Sequence, residues 1–199
     1  MNIKRHIKNI NCNYLLIFIY IVVTFVTIIC HEPFGDEAIA WGISSGGPDF
    51  FAEIQEQGQP FLVYFWMKLL SKAGFSIFSM QLSAWIFMSA AVVFFIFKAP
   101  FNLLFKTIFI FNAGMIYYYP VLARSYSFIP LFLFILAYLY PKRHNIPIIY
   151  SLLIILLFQT HPYIGGFCLV LSLVFIFELL ERLIRRNALV EGVLDRWGG

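Results

Sequence analysis

The chain has 199 residues, of which 61% are hydrophobic, 20% aromatic and only 12% charged, with a mean hydropathy of +0.84. That leaves too little polar surface to clothe a water-soluble globule of this length, so the composition excludes a soluble domain and implies an integral membrane protein. A net charge of +4 would suggest nucleic acid as partner of a soluble protein, but most Lys and Arg residues stand in short clusters between apolar runs. There they are orientation signals, and no nucleic-acid partner is expected.

Taking the chain in order, Lys4, Arg5 and Lys8 precede an unbroken apolar run, and residues 14–30 suffice to cross about 30 Å of hydrocarbon as a helix. Ile28-Ile29-Cys30-His31 lacks the small residues a signal peptidase needs, so the run reads as an uncleaved anchor. An acidic stretch from His31 to Trp41 follows, carrying Glu32, Asp36 and Glu37. Gly46-Gly47-Pro48 breaks the backbone, and Asp49 to Gln57 reads as a short helix capped by Asp49. Gly58-Gln59-Pro60 resets the chain. Phe61 to Lys72 then reads as an aromatic-rich amphipathic helix whose Trp66, Lys68 and Lys72 suit a membrane interface. Residues 31–75 thus form an outer loop with juxtamembrane helices.

Further spans are predicted at about 77–97, 103–119, 123–140, 146–160 and 163–181. The fold expected is all-α: one polytopic transmembrane domain over residues 1–199, with about six spans. The third span ends in the aromatic belt Tyr117-Tyr118-Tyr119-Pro120. The fourth and fifth are short, and short spans must tilt little or line protein rather than lipid. Cys12, Cys30 and Cys168 lack metal-ligand spacing and sit at or inside apolar segments, so they are assigned neither disulfide nor metal.

Charge orients this arrangement. With the amino terminus cytoplasmic, every Lys and Arg except Lys68, Lys72 and Arg124 falls on the inner side, as the positive-inside rule requires. The acidic residues Glu32, Asp36, Glu37, Asp49, Glu53 and Glu56 fall outside. Asp36 and Glu37 after the first span, Arg124 between the third and fourth, and His161 between the fifth and sixth then emerge on one outer face. A carboxylate pair beside a cation and an imidazole at the bilayer surface suits a substrate with a headgroup phosphate and an acceptor arriving from water. The residues also have plainer readings: Asp36 as a helix cap, Arg124 snorkelling to headgroups, His161 as an interfacial side chain.

Phe34-Gly35-Asp36-Glu37-Ala38, Gly58-Gln59-Pro60-Phe61-Leu62, Ala123-Arg124-Ser125-Tyr126-Ser127 and Thr160-His161-Pro162-Tyr163 with Gly165, in that order, resemble the GT-C type membrane glycosyltransferases. The branch with protein mannosyltransferases and lipid A aminoarabinose transferases is the most similar in look, over roughly residues 14–180. The resemblance implies a sugar transferred from a polyprenyl-phosphate donor to a lipid, glycan or protein acceptor, with inversion, outside a bacterial inner or plasma membrane. It implies a catalytic pair, with Asp36 as the base or acceptor-orienting carboxylate and its neighbour Glu37 beside it. Arg124, with His161, Tyr126 and Gln59, would be on the donor phosphate and substrate. No nucleotide-binding loop is visible, in keeping with a lipid donor, and no cofactor is required. A divalent metal near Glu32, Asp36 and Glu37 is compatible but not demanded. The chain departs from the family in having Gln59-Pro60-Phe61 where His-Pro-Pro is frequent, and in stopping before a soluble outer domain, so it is expected to be the membrane part or a truncated relative. The competing expectations are a non-catalytic bundle, such as a lipid-linked sugar flippase, transporter component or inactive relative, and a polysaccharide polymerase. Nearly absent mid-span charges and the lack of an internal repeat weigh against a transporter.

Overall fold

The computed structural model describes residues 2–47 and 49–197, with side chains described for 12–47 and 49–186. The expectations that fall on the side chains of Lys4, Arg5, Lys8, Glu191, Asp195 and Arg196, and on Pro48, Gly198 and Gly199, lie outside what is described. Every regular element among the described residues is helical. The α-helices are α1 Asn2–Cys30, α2 Gly35–Ser45, α3 Phe50–Gln57, α4 Phe61–Lys72, α5 Phe78–Lys98, α6 Leu103–Ile110, α7 Ile129–Leu139, α8 Pro147–Phe158 and α9 Gly165–Trp197.

Helix α1 sets the logic of the bundle. Its buried residues Ile17, Tyr20, Thr24 and Ile28 recur at three- and four-residue steps, while Phe18, Val22, Val26 and Ile29 between them are exposed. A helix that keeps apolar side chains on its outside as well as in its seam is one that lipid solvates. Helix α5 is the hub, packing against α1, α4, α6 and α7, and the chain then continues α7 on α8 and α8 on α9. The main apolar cluster lies where α1, α5 and α6 meet, around Tyr20, Met88, Val92, Ile96 and Ile110. A second joins α7, α8 and α9 through Leu136, Tyr150, Leu157 and Phe175. Inside this apolar setting several polar groups are paired: Tyr20 Oη donates to the Met115 carbonyl at 2.6 Å, and Trp85 Nε1 donates to Thr24 Oγ1 at 3.0 Å, whereas the Ser89 hydroxyl on α5 is buried without a partner. Lys106, 8% exposed, donates from Nζ to the Ile96 carbonyl at 2.6 Å and so caps the end of α5.

The expectation of about six spans is corrected to four. Cys12–Cys30, Phe78–Lys98, Ser125–Lys142 and Pro162–Arg186 are long and apolar enough to cross a membrane. The predicted span 103–119 is broken after Ile110. There the Asn112 side chain accepts from Met115 N at 3.1 Å and donates to the Phe109 carbonyl at 2.5 Å, and residues Gly114–Tyr118 wind into a wider π-helical turn. A Cβ on Gly114 would stand 3.1 Å from Asn112 Oδ1, so a larger residue there would press on the side chain that bonds the turn. The predicted span 146–160 is α8, whose 12 residues reach about 18 Å. It buries Tyr150, Ile154 and Leu157 against the bundle and leaves Ile148, Ile149, Leu152 and Ile155 exposed, Ile148 by 74%.

Between α5 and α7 the broken segment nevertheless carries the chain from one end of the bundle to the other. Lys106 lies at the Ile96 end of α5, and Tyr117 stacks edge-on against His31, just past the opposite end of α1, with ring centroids 6.2 Å apart. The short helices agree closely with expectation: α4 spans Phe61–Lys72, and α3 follows Asp49. Asp49, however, makes no side-chain cap bond. Gly58 closes α3 in the left-handed conformation, φ 61°, which turns the chain back so that Gln59 points into the bundle end.

Candidate functional site

Asp36 and Glu37 are consecutive in the first turn of α2, and consecutive helical residues project about 100° apart. The two carboxylates therefore face different surroundings. Glu37 is wholly buried. Its Oε2 accepts from Phe34 N at 2.7 Å and lies 3.1 Å from His31 Nε2, while its Oε1 accepts from Ala123 N at 2.6 Å. The Phe34 bond caps α2, so the capping considered for Asp36 is done by its neighbour. Glu37 has its acceptor capacity taken up by structure.

Asp36 points the other way. Its Oδ2 accepts from Arg124 Nη1 at 2.5 Å, and the two side chains are 48% and 40% exposed. Arg124 is held for this by its own turn. Ala123 N is bound by Glu37, Ser127 N donates to the Arg124 carbonyl at 3.0 Å, and the buried Ser127 hydroxyl donates to the Leu122 carbonyl at 3.0 Å. Arg124 does not snorkel alone; it is paired.

Beside the pair opens a cavity of about 940 Å³ whose lining includes Gln59, Tyr119, Arg124, Tyr126, His161 and Tyr163. All four residues expected at the phosphate and substrate line it, brought from the α3–α4 junction, the turn before α7 and the turn before α9. His161 Nδ1 accepts from Tyr163 N at 3.2 Å, and its ring centroid lies 4.8 Å from that of Tyr163 and 6.2 Å from that of Tyr126. Burial holds the His161 pKa below the usual imidazole range, and the nearby Arg124 charge lowers it further. With Nδ1 accepting, the neutral ring carries its proton on Nε2 and acts as a donor rather than as a second cation. One amide atom of Gln59, Oε1, is buried without a partner. Along α7 the cavity shares Leu133 with a groove of about 490 Å³ lined by Phe134, Leu136, Ala137, Phe167 and Leu171 among others.

Tyr64 was not anticipated. It is buried on α4 and its phenol is raised by burial, lowered by Arg124 and raised by Asp36, which puts it within electrostatic reach of both. Reading α4 as an interfacial helix assigns its polar side chains to lipid, whereas α4 packs on α2. Tyr118 and Tyr119, expected as an interfacial belt, also line the cavity. Among the described residues no three His, Cys, Asp or Glu side chains are grouped as a metal would need, and Glu32, Asp36 and Glu37 do not form such a group. Compared with known proteins, the chain matches no family model, no curated protein and no solved structure.

Proposed function

We propose that this chain moves a sugar from a polyprenyl-phosphate donor to a hydroxyl acceptor at the bundle end that carries Asp36 and Arg124. In this reading that end faces away from the cytoplasm, with the basic connections at the other end. The observation that carries the reading is the Asp36–Arg124 pair, carboxylate against guanidinium, at the edge of a cavity lined by Gln59, Tyr126 and His161. An apolar groove that continues the cavity along α7 suits a donor that is a lipid. Arg124 would hold the phosphate, with the His161 Nε2–H as a neutral second donor, and these groups would stabilise the charge that gathers on the departing phosphate oxygen. Asp36 would take the acceptor proton as the acceptor oxygen bonds to the anomeric carbon and the carbon–phosphate-oxygen bond breaks on the opposite side. Glu37 takes no chemical part and holds the parts in register.

A second reading, a bundle that binds a lipid-linked anion without turning it over, is favoured by one observation: the oxygen Asp36 would use as a base is already engaged by Arg124. A transfer assay on the full chain in reconstituted membranes, with a panel of polyprenyl-phosphate sugars, separates the two. Turnover that disappears in Asp36→Asn while donor binding persists supports the enzyme. Donor binding with no turnover in the unsubstituted chain supports the binder, and no binding of any polyprenyl phosphate overturns both.

A further inference from the structure

Arg124 is claimed twice: by Asp36, which it contacts, and by the phosphate that its cavity would receive. A guanidinium fork binds a carboxylate or a phosphate well, but one fork in one pose does not serve both fully. Resting on the reading above, we propose that the Asp36–Arg124 pair is a latch opened by the donor, so that phosphate binding frees the Asp36 carboxylate and the acceptor can be activated only after the donor is in place.

Three observations carry this. The contact is a single Nη1–Oδ2 bond rather than a two-pronged one, so the remaining guanidinium N–H groups stay available to lead an anion in. Both partners are close to half exposed, and an ion pair in that setting contributes only about 0–1 kcal/mol, so a phosphate of higher charge displaces the carboxylate at small cost. The backbone beneath the two side chains is fixed independently of their pairing, because Glu37 on α2 binds Ala123 N directly. Opening the latch therefore moves two side chains and leaves the turn in place. The consequence is an ordered reaction: without donor, Asp36 stays engaged with Arg124, and its carboxylate is released to an acceptor only once the phosphate has taken its place.

The test is a double-mutant cycle on binding, with the full chain in nanodiscs titrated with a polyprenyl monophosphate and, as control, the uncharged polyprenol. Asp36→Asn should tighten the phosphate by about two- to fivefold, the factor that corresponds to removing a competing pair of this strength. In an Arg124→Gln background the same substitution should change nothing. Unchanged or weaker binding in Asp36→Asn overturns the latch, and so does equal tightening in both backgrounds, which would be plain charge repulsion. Asp36→Ser serves as a second variant against a folding artefact. If the unsubstituted chain binds phosphate no better than polyprenol, the anion-site reading itself fails and the latch with it, whereas phosphate-selective binding without the cycle's coupling removes the latch alone.

Discussion

The Ala123 backbone N–H donates to Glu37 Oε1 at 2.6 Å, linking positions 86 residues apart in the sequence. Through this bond the first turn of α2 is tied to the turn that carries Arg124, and Asp36 reaches Arg124 because the residue next to it in each segment is already locked. The two adjacent carboxylates thus divide the work, one buried in the architecture and one exposed and paired with Arg124.

That division is measurable as stability. Glu37→Gln places an amide NH₂ where an acceptor faces backbone N–H groups, leaving a buried donor unmatched, and should cost about 2–3 kcal/mol. Asp36→Asn removes only an exposed pair and should cost less than about 1 kcal/mol. Thermal or denaturant unfolding of the full chain in one detergent compares them. Equal losses would remove the distinction between the two residues.

His161 sets a pH dependence of known sign. Its folded pKa lies below the ordinary value of about 6.5, so the unfolded chain binds the proton first as pH falls, and stability contributed by the neutral ring is present above about 6.5 and is lost toward its depressed folded value. Below that value the ring is charged beside Arg124, and binding of an anionic lipid should tighten while the fold weakens. His161→Gln should flatten both trends, read by unfolding and by binding titrations between about pH 4 and 8. In Arg124→Gln the imidazole resonance should titrate at higher pH, because one of the two causes holding it down is gone.

Tyr20→Phe strips the hydroxyl from a wholly buried ring that donates to the Met115 carbonyl in the π-helical turn. The orphaned carbonyl should cost about 1–3 kcal/mol and raise amide exchange at residues 112–119 more than in α7. Uniform exchange would mean that the turn is held by other contacts.

The opposite end of the bundle has its own clamp. Arg143 donates from Nε and Nη2 to the two Glu178 oxygens at 2.7 Å each, and lies over the Tyr140 ring at 3.8 Å. The pair is mostly shielded, so Arg143→Gln, which leaves Glu178 with His144 Nε2 at 3.2 Å in place of the two-pronged guanidinium, should destabilise by about 1–3 kcal/mol. Affinity for a polyprenyl phosphate at the Arg124 cavity should be unchanged, and a change would join two ends that share no contact of this kind.

How far the sequence carries each of these features depends on the kind of signal. The apolar length of residues 14–30 and 77–97 and the Pro60-bounded, Gly74-bounded stretch of α4 are local, and their limits agree with the structure within one or two residues. The break in 103–119 is written in Asn112-Ala113-Gly114, a turn-forming tripeptide that hydropathy averaging over an apolar window conceals. The alternation of the predicted spans puts Asp36, Arg124 and His161 at one end, and in the structure Arg124 bonds Asp36 and lines one cavity with His161. What the alternation does not supply is which of two neighbouring carboxylates faces inward, since that follows from the helical rotation of α2 against a turn 86 residues away. Tyr64 is out of reach for the same reason: its neighbours come from α2 and from the Arg124 turn.

Helix α8 carries a consequence for the surrounding lipid. Its exposed face is greasy from Ile148 to Phe158, yet at about 18 Å it falls far short of a hydrocarbon layer near 30 Å. Acyl chains that wet this face must shorten or splay, so a bilayer pinches locally where α8 hands over to the His161 turn. Hydrophobic mismatch of this kind would lower the headgroup plane toward the mouth of the cavity, and under the proposed function a lipid-borne phosphate would meet Arg124 with less of its tail drawn out of the oil.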